Sequence, residues 1–238
     1  MSNLPAFLII QLLAHVVSDF YLQSQKWSDG KSLGGFKSRY LYYHILATFV
    51  CSSLFAFRLD WILYALGIAL VHLIIDGVKS ILEKAELLGE FRNWLFFVDQ
   101  GLHVMTIVGA LCLYGIYGGS VSADYWGVAA EALAILLAYS LCLKPANIVI
   151  RETLRAYKIE MPGDDDTSLP GAGRLIGIVE RLLALTLILA GQFSAVGFIF
   201  AAKSILRFKD AEGERAEYVL AGSLLSFGIA VLIGILAK

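Results

Sequence analysis

Charge is scarce in this sequence. Only 16% of its 238 residues are Asp, Glu, Lys or Arg, against 58% apolar, and the apolar residues come in runs too long for a soluble core. That excludes a water-soluble globular domain. Cysteine is scarcer still: Cys51, Cys112 and Cys142 stand singly in apolar stretches with no paired spacing. Neither a disulfide frame nor a thiolate metal site is expected, and the three read as packing residues. No basic residue precedes the first apolar segment, and His15 and Asp19 interrupt it, so it reads as a mature helix rather than a cleavable signal. No strand precedes Gly171, Gly173 and Gly177, or Gly191 and Gly197. A nucleotide-binding glycine loop therefore has no support, and these glycines read as close helix packing.

What the sequence has is length of apolar run. A hydrocarbon core of roughly 30 Å takes about 20 apolar residues in a helix, and irregular backbone cannot face lipid because its N–H and C=O groups go unpaired. The expectation is an all-α polytopic bundle of about eight transmembrane helices, near residues 4–22, 39–58, 59–82, 92–118, 124–143, 173–190, 193–208 and 214–236. Only Gly191 to Phe193 part the sixth from the seventh, so one long bent helix is the alternative there.

Basic residues are retained on the cytoplasmic side. With eight helices, 17 of the 19 Lys and Arg residues fall in the odd-numbered connections or at their edges, and only Arg58 and Lys238 fall opposite. Both termini are then non-cytoplasmic. Two halves are expected: residues 1–118, a four-helix membrane bundle, and residues 119–238, a second helical half with a cytoplasmic amphipathic loop at 144–172. Within that loop, Ile148, Ile150, Leu154 and Tyr157 interleave with Arg151, Arg155 and Lys158 as in a short interfacial helix. The run Asp164 to Asp166 reads as solvated acids.

The polar residues inside the spans are few and patterned. All four histidines, His15, His44, His72 and His103, lie one in each of the first four helices. Asp19, Asp76 and Asp99 stand four residues from His15, His72 and His103 respectively, so each pair shares a helix face. Ionisable groups in hydrocarbon cost several kcal/mol unless they meet a partner, a metal or water. At about 1.5 Å of rise per residue, all seven lie roughly 6 to 16 Å from the cytoplasmic end of their helices. Helices one and three carry His-x-x-x-Asp and helix four carries Asp-x-x-x-His, which suggests a duplicated hairpin. Imidazole and carboxylate are ligands for zinc first, with iron or manganese as alternatives. Seven candidates exceed what one tetrahedral ion needs. Either two metals bind, or some of the seven act as supporting partners or as a general base. The plainer alternative is a hydrogen-bonded network that only ties helices together.

Gln23, Lys26, Lys79 and Gln100 adjoin this cluster, where Lys26, Lys79 and Gln100 are candidate substrate contacts and either lysine could instead snorkel. Arg174, Arg181, Lys203 and Arg207 sit at a similar level in the second half, with Glu180 expected to pair with one arginine. They could cradle a phosphate or simply repeat the positive-inside signal.

HVVSDFYLQSQKW in helix one, YYHI in helix two, HLIIDGVK in helix three and DQGLH in helix four resemble an uncharacterised bacterial membrane family classed as a domain of unknown function. GRLIGIVERLLAL, GQFSAVGFIFAAKSILRFK and AEYVLAGSLLS extend the similarity through the second half. The His/Asp pattern of the first half is also similar to predicted membrane-bound metal-dependent hydrolases. That resemblance implies a hydrolase with ligands among His15, Asp19, His44, His72, Asp76, Asp99 and His103. The expected function is therefore a metal-dependent hydrolase of the bacterial inner membrane. Asp19, Asp76 and Asp99 are its candidate catalytic acids and bases. A membrane lipid, a phospholipid or polyprenyl phosphate, is its substrate, and no nucleic-acid partner is expected. A proton- or metal-coupled transporter and a scaffold with a structural metal are the alternatives.

Overall fold

The computed structural model describes residues 6–84, 86–119, 130–159, 171–208 and 214–238. Among these the fold is all-α, with ten α-helices. The chain divides into two compact units, one reaching to Leu137 and the other running from Ala138 to Lys238.

The first unit starts with α1 (Ala6–Val16), which widens into a π-helical turn at Val17–Leu22. The chain then bends by 89° into α2 (Gln25–Gly34) and a 3₁₀ turn, Gly35–Lys37. Ser24 sets the start of α2, its side chain accepting a hydrogen bond from the Trp27 N–H at 3.3 Å, the usual way to satisfy a free donor at a helix N-terminus. Ser38 does the same for Tyr40 at the start of α3 (Arg39–Ala56). The α4 helix (Ile62–Leu82) and α5 (Leu95–Ile116) follow, joined by the 3₁₀ segment Glu86–Trp94. Phe7, Ala56, Trp61, Ala65, Ile68, Ile107, Leu111 and Tyr114 form one apolar core. A buried polar layer adjoins it: Ser52 Oγ donates to Gln11 Oε1 at 2.6 Å, and Trp61 Nε1 donates to Ser52 Oγ at 3.0 Å.

The polarity of this unit is inverted relative to a water-soluble bundle. His44, His72, Asp76, Asp99 and His103 are buried while Leu54, Leu63, Ile74 and Met105 face outward, the arrangement a bilayer selects. By length and apolarity, Leu59–Leu82, Leu88–Ile116 and Glu217–Ala237 qualify as membrane spans. Two bent pairs raise the number to five: Ala6–Leu22 with Gln25–Lys37, and Ala130–Cys142 with Lys144–Ala156. Helices stand at each of the eight expected segments, but not all qualify alone. The α3 helix opens on Arg39, three tyrosines and His44, which lowers its apolarity. The elbow helix α2 falls where the sequence suggested only a loop.

In the second unit the end of α6 (Ala130–Cys142) meets α7 (Lys144–Ala156) at a 46° bend, because Leu143 leaves helical geometry with ψ at −116°. The α7 helix is the amphipathic segment read from the sequence. The α8 helix (Ala172–Leu189) and α9 (Phe193–Phe208) are two helices, not one, because Gly191 takes a left-handed φ of 76° between them, a conformation that favours glycine. The α10 helix (Glu214–Ala237) packs on α8, where Ala184, Leu185, Ile188, Ala230 and Ala237 form the core with Ala138, Cys142 and Val196. Arg181 is fully buried here. Its Nε donates to the Cys142 carbonyl at 2.8 Å, Nη1 to Ser226 Oγ at 2.8 Å and Nη2 to Asn147 Oδ1 at 2.6 Å. The first of these satisfies a carbonyl at the end of α6, where the helix itself offers no further donor. The acidic run Asp164 to Asp166 lies outside the described residues.

Candidate metal centre

Four helices of the first unit contribute donors to one buried site. The π-helical turn after α1 places Asp19 against His15, with Oδ1 and Nδ1 3.3 Å apart; such turns recur at functional sites because they re-aim side chains. His44 enters from α3, His72 and Asp76 from α4, and Asp99 and His103 from α5. The i,i+4 spacing holds the last two pairs on single faces, with closest N···O distances of 3.7 Å for His72 and Asp76 and 3.5 Å for Asp99 and His103.

The links between helices are as short as those within them. His44 Nε2 lies 3.0 Å from His72 Nε2, 3.5 Å from Asp76 Oδ2 and 3.8 Å from Asp19 Oδ1. His72 Nε2 lies 3.5 Å from Asp19 Oδ2, and His103 Nε2 lies 3.7 Å from Asp76 Oδ1. All seven residues singled out from the sequence therefore meet in one place. Three groups of mutually close donors result: His15, Asp19 and His72; His44, His72 and Asp76; and Asp76, Asp99 and His103. Each could hold a metal ion.

Two features bear on whether the donors fit an ion. An N–H···O hydrogen bond runs from about 2.7 to 3.2 Å, and all but one of these separations are longer. Ligands bound at about 2.0–2.1 Å in a tetrahedron stand about 3.3–3.4 Å apart along its edges, which is much closer to what is observed. Second, buried polar atoms are nearly always paired. Yet Asp99 Oδ1 and His103 Nε2, both buried, have no hydrogen-bond partner among the described residues.

Two lysines border the cluster. Lys79 Nζ stands 3.0 Å from Asp99 Oδ2, where Gln100 Nε2 also donates at 3.1 Å. Lys31, carried on α2, reaches Asp76 Oδ2 at 2.6 Å and Gln23 Oε1 at 3.1 Å. Sequence reasoning missed Lys31 because it counted that residue only among the basic residues of the first connection and looked to Lys26 instead. Lys26 is exposed and lies over the Tyr40 ring, 6.0 Å from its centroid. The signal available was Trp27 four residues before Lys31, an apolar and a long basic side chain on one face of a capped helix.

The basic residues of the second unit are differently engaged. Arg174 is exposed, Lys203 pairs with Glu180, and Arg181 is committed to the three neutral acceptors above. Lys203, Glu180, Arg181, Ser223 and Ser226 line one small cavity. Arg207 falls in α9 with its side chain outside the described set.

Fold and site together define a helical protein with three to five candidate membrane spans and buried His/Asp groups able to hold metal. Residues 7–126 match the family model described as "Protein of unknown function (DUF3307)", and the chain belongs to that family. That match covers α1 to α5 and so contains all seven clustered residues. No curated protein and no solved structure matches the chain.

Proposed function

We propose that this protein is an integral membrane hydrolase that uses a divalent metal bound by the His/Asp cluster and acts on a phosphorylated lipid at the cytoplasmic membrane boundary. The observation that carries this reading is the convergence of seven buried His and Asp residues into three mutually close donor groups, in one of which Asp99 Oδ1 and His103 Nε2 face each other at 3.5 Å without a hydrogen bond. A buried polar group without a good hydrogen bond costs about 1–3 kcal/mol, and a cation between these two atoms would lower that cost. Zinc suits the donor set best; iron or manganese is second.

A bound divalent ion lowers the pKa of a coordinated water toward neutrality and polarises the scissile bond. The chain's own residues supply the rest. The aspartates, Asp19, Asp76 or Asp99, provide a carboxylate oxygen to take the water's proton. Lys31 and Lys79 hold positive charge at the edge of the site. Three carboxylates, two ammonium groups and one divalent ion sum to a net positive site, which attracts an anionic phosphate. The outward apolar faces of α3 to α5 keep the site within reach of a lipid, either a phospholipid or a polyprenyl phosphate.

The finer architecture belongs to the same proposal: eight spans, both termini outside the cytoplasm, a duplicated hairpin in the first half and residence in a bacterial cytoplasmic membrane. Sidedness of the basic residues supports it. The test uses metal-loaded protein in detergent with labelled phospholipids and polyprenyl phosphates. Release of a hydrolysed product where no compartments exist is expected. Uptake into sealed vesicles with no product in detergent would instead identify a transporter.

A further inference from the structure

We infer that the cluster is built for two divalent ions that share Asp76: one in a closed site formed by Asp19, His44, His72 and Asp76, the other in an open site formed by Asp76, Asp99 and His103. This rests on the metal reading above and assigns its stoichiometry and its bridging ligand.

The two oxygens of Asp76 divide the cluster. Oδ2 faces His44 at 3.5 Å and His72 at 3.7 Å, whereas Oδ1 faces His103 at 3.7 Å. Oδ2 also accepts from Lys31 Nζ at 2.6 Å, a contact that an ion at this oxygen would displace; with two imidazoles near Oδ2 and one near Oδ1, the carboxylate is placed to bridge two ions. On the Oδ2 side, Asp19 completes the donor set: Oδ1 lies 3.8 Å from His44 and Oδ2 lies 3.5 Å from His72. His44, His72 and Asp76 form one mutually close donor group, and their separations of 3.0 to 3.7 Å bracket the edge of a tetrahedral site, with Asp19 beside them as the fourth ligand an ion would draw in. His15 stands behind, its Nδ1 3.3 Å from Asp19 Oδ1, and acts as a positioning residue.

On the Oδ1 side only three residues converge. This is the side holding the unpartnered Asp99 Oδ1 and His103 Nε2, and three protein ligands leave a coordination position for water or substrate, as catalytic sites do.

The spacing between the sites comes from the rings themselves. His72 and His103 stack face to face, with centroids 3.6 Å apart and planes within 6° of parallel. Each ring directs its Nε2 to a different oxygen of the same carboxylate. Ions bound in the planes of parallel rings inherit the ring spacing, and paired hydrolytic metals lie about 3.5–4 Å apart. The substrate class follows: two ions at that spacing clamp the attacking and leaving oxygens of a phosphoryl group, so the inference names a phosphate ester.

The experiment loads the full chain in detergent with Mn²⁺, removes free ion, and measures metal per chain by elemental analysis and the low-temperature electron paramagnetic resonance spectrum. Two ions per chain with an exchange-coupled spectrum are expected. His44→Ala and His103→Ala should each retain one ion with an isolated Mn²⁺ signal, and Asp76→Ala should lose the coupling. One ion per wild-type chain with an isolated signal overturns the two-site inference and leaves the metal reading standing. No bound ion in the wild type overturns both. The wild-type measurement decides the matter even if a variant fails to fold.

Discussion

At the scale of single residues, Lys31 and Arg181 are both buried cations, yet they are held in opposite ways. Lys31 meets a carboxylate, Asp76, at 2.6 Å, and so competes with any cation that uses the same oxygen. Two unit charges 4 Å apart interact by about 4 kcal/mol at an effective dielectric constant of about 20. Even after relaxation, Lys31→Met should tighten metal binding by about tenfold, or about 1.4 kcal/mol. Competition against a chromophoric chelator measures this, and unchanged or weaker binding would show that Lys31 does not oppose the ion. Arg181 instead meets three neutral acceptors on three helices. Arg181→Leu leaves those acceptors bare and should lower stability by about 2–4 kcal/mol. Arg181→Lys should recover little of the loss, because an ammonium lacks the guanidinium's planar fork. Thermal unfolding in detergent tests the pair; full rescue by lysine would mean that charge alone matters there.

At the scale of elements, the elbow helix α2 decides whether Lys31 reaches the cluster. The elbow docks through Phe36 of the 3₁₀ turn that follows α2, whose ring lies against Gly77 of α4 so closely that a Cβ added at Gly77 would fall 2.1 Å from the ring. Gly77→Ala should therefore expel the ring, cost about 1–3 kcal/mol as overpacking does, and withdraw Lys31 from Asp76. Heightened reactivity of a Lys31→Cys probe in the Gly77→Ala background checks this, and equal reactivity with and without the substitution would show that the elbow docks by other means. The elbow also marks where sequence reading stopped. His72 with Asp76, and Asp99 with His103, were legible because a helix of 3.6 residues per turn puts i and i+4 on one face, and apolar length fixed the depth. What spacing along one helix cannot encode is rotation between helices. Thus neither the sharing of Asp76 between His72 and His103 nor the stack of those two rings was visible. Residues 23–38 looked like a loop because Lys26, Asp29, Lys31 and Lys37 mask the short apolar face of Trp27, Leu33 and Phe36. The phosphate role read for Arg181 was drawn from charge and level alone, and a linear pattern could not reveal that Cys142, Asn147 and Ser226 take up its donors.

At the scale of the whole molecule, the proposed topology places Lys238 outside the cytoplasm. A cysteine introduced there, with Cys51, Cys112 and Cys142 replaced by alanine, should react with an impermeant thiol reagent added to intact cells. Reaction only after the membrane is broken would reverse the proposed orientation. The buried Lys31–Asp76 pair carries one further consequence, which concerns how the chain is made. The two residues lie 45 positions apart, so Lys31 leaves the ribosome well before its partner does. Until then it is a free cation beside the first span, and in the proposed orientation it votes with Lys26, Lys37 and Arg39 for the side on which that connection stays. Once α4 arrives, the same charge is drawn inward and spent on Asp76. A neutral residue at 31 would thus be felt twice, first in the fidelity of insertion and only later in the assembled site.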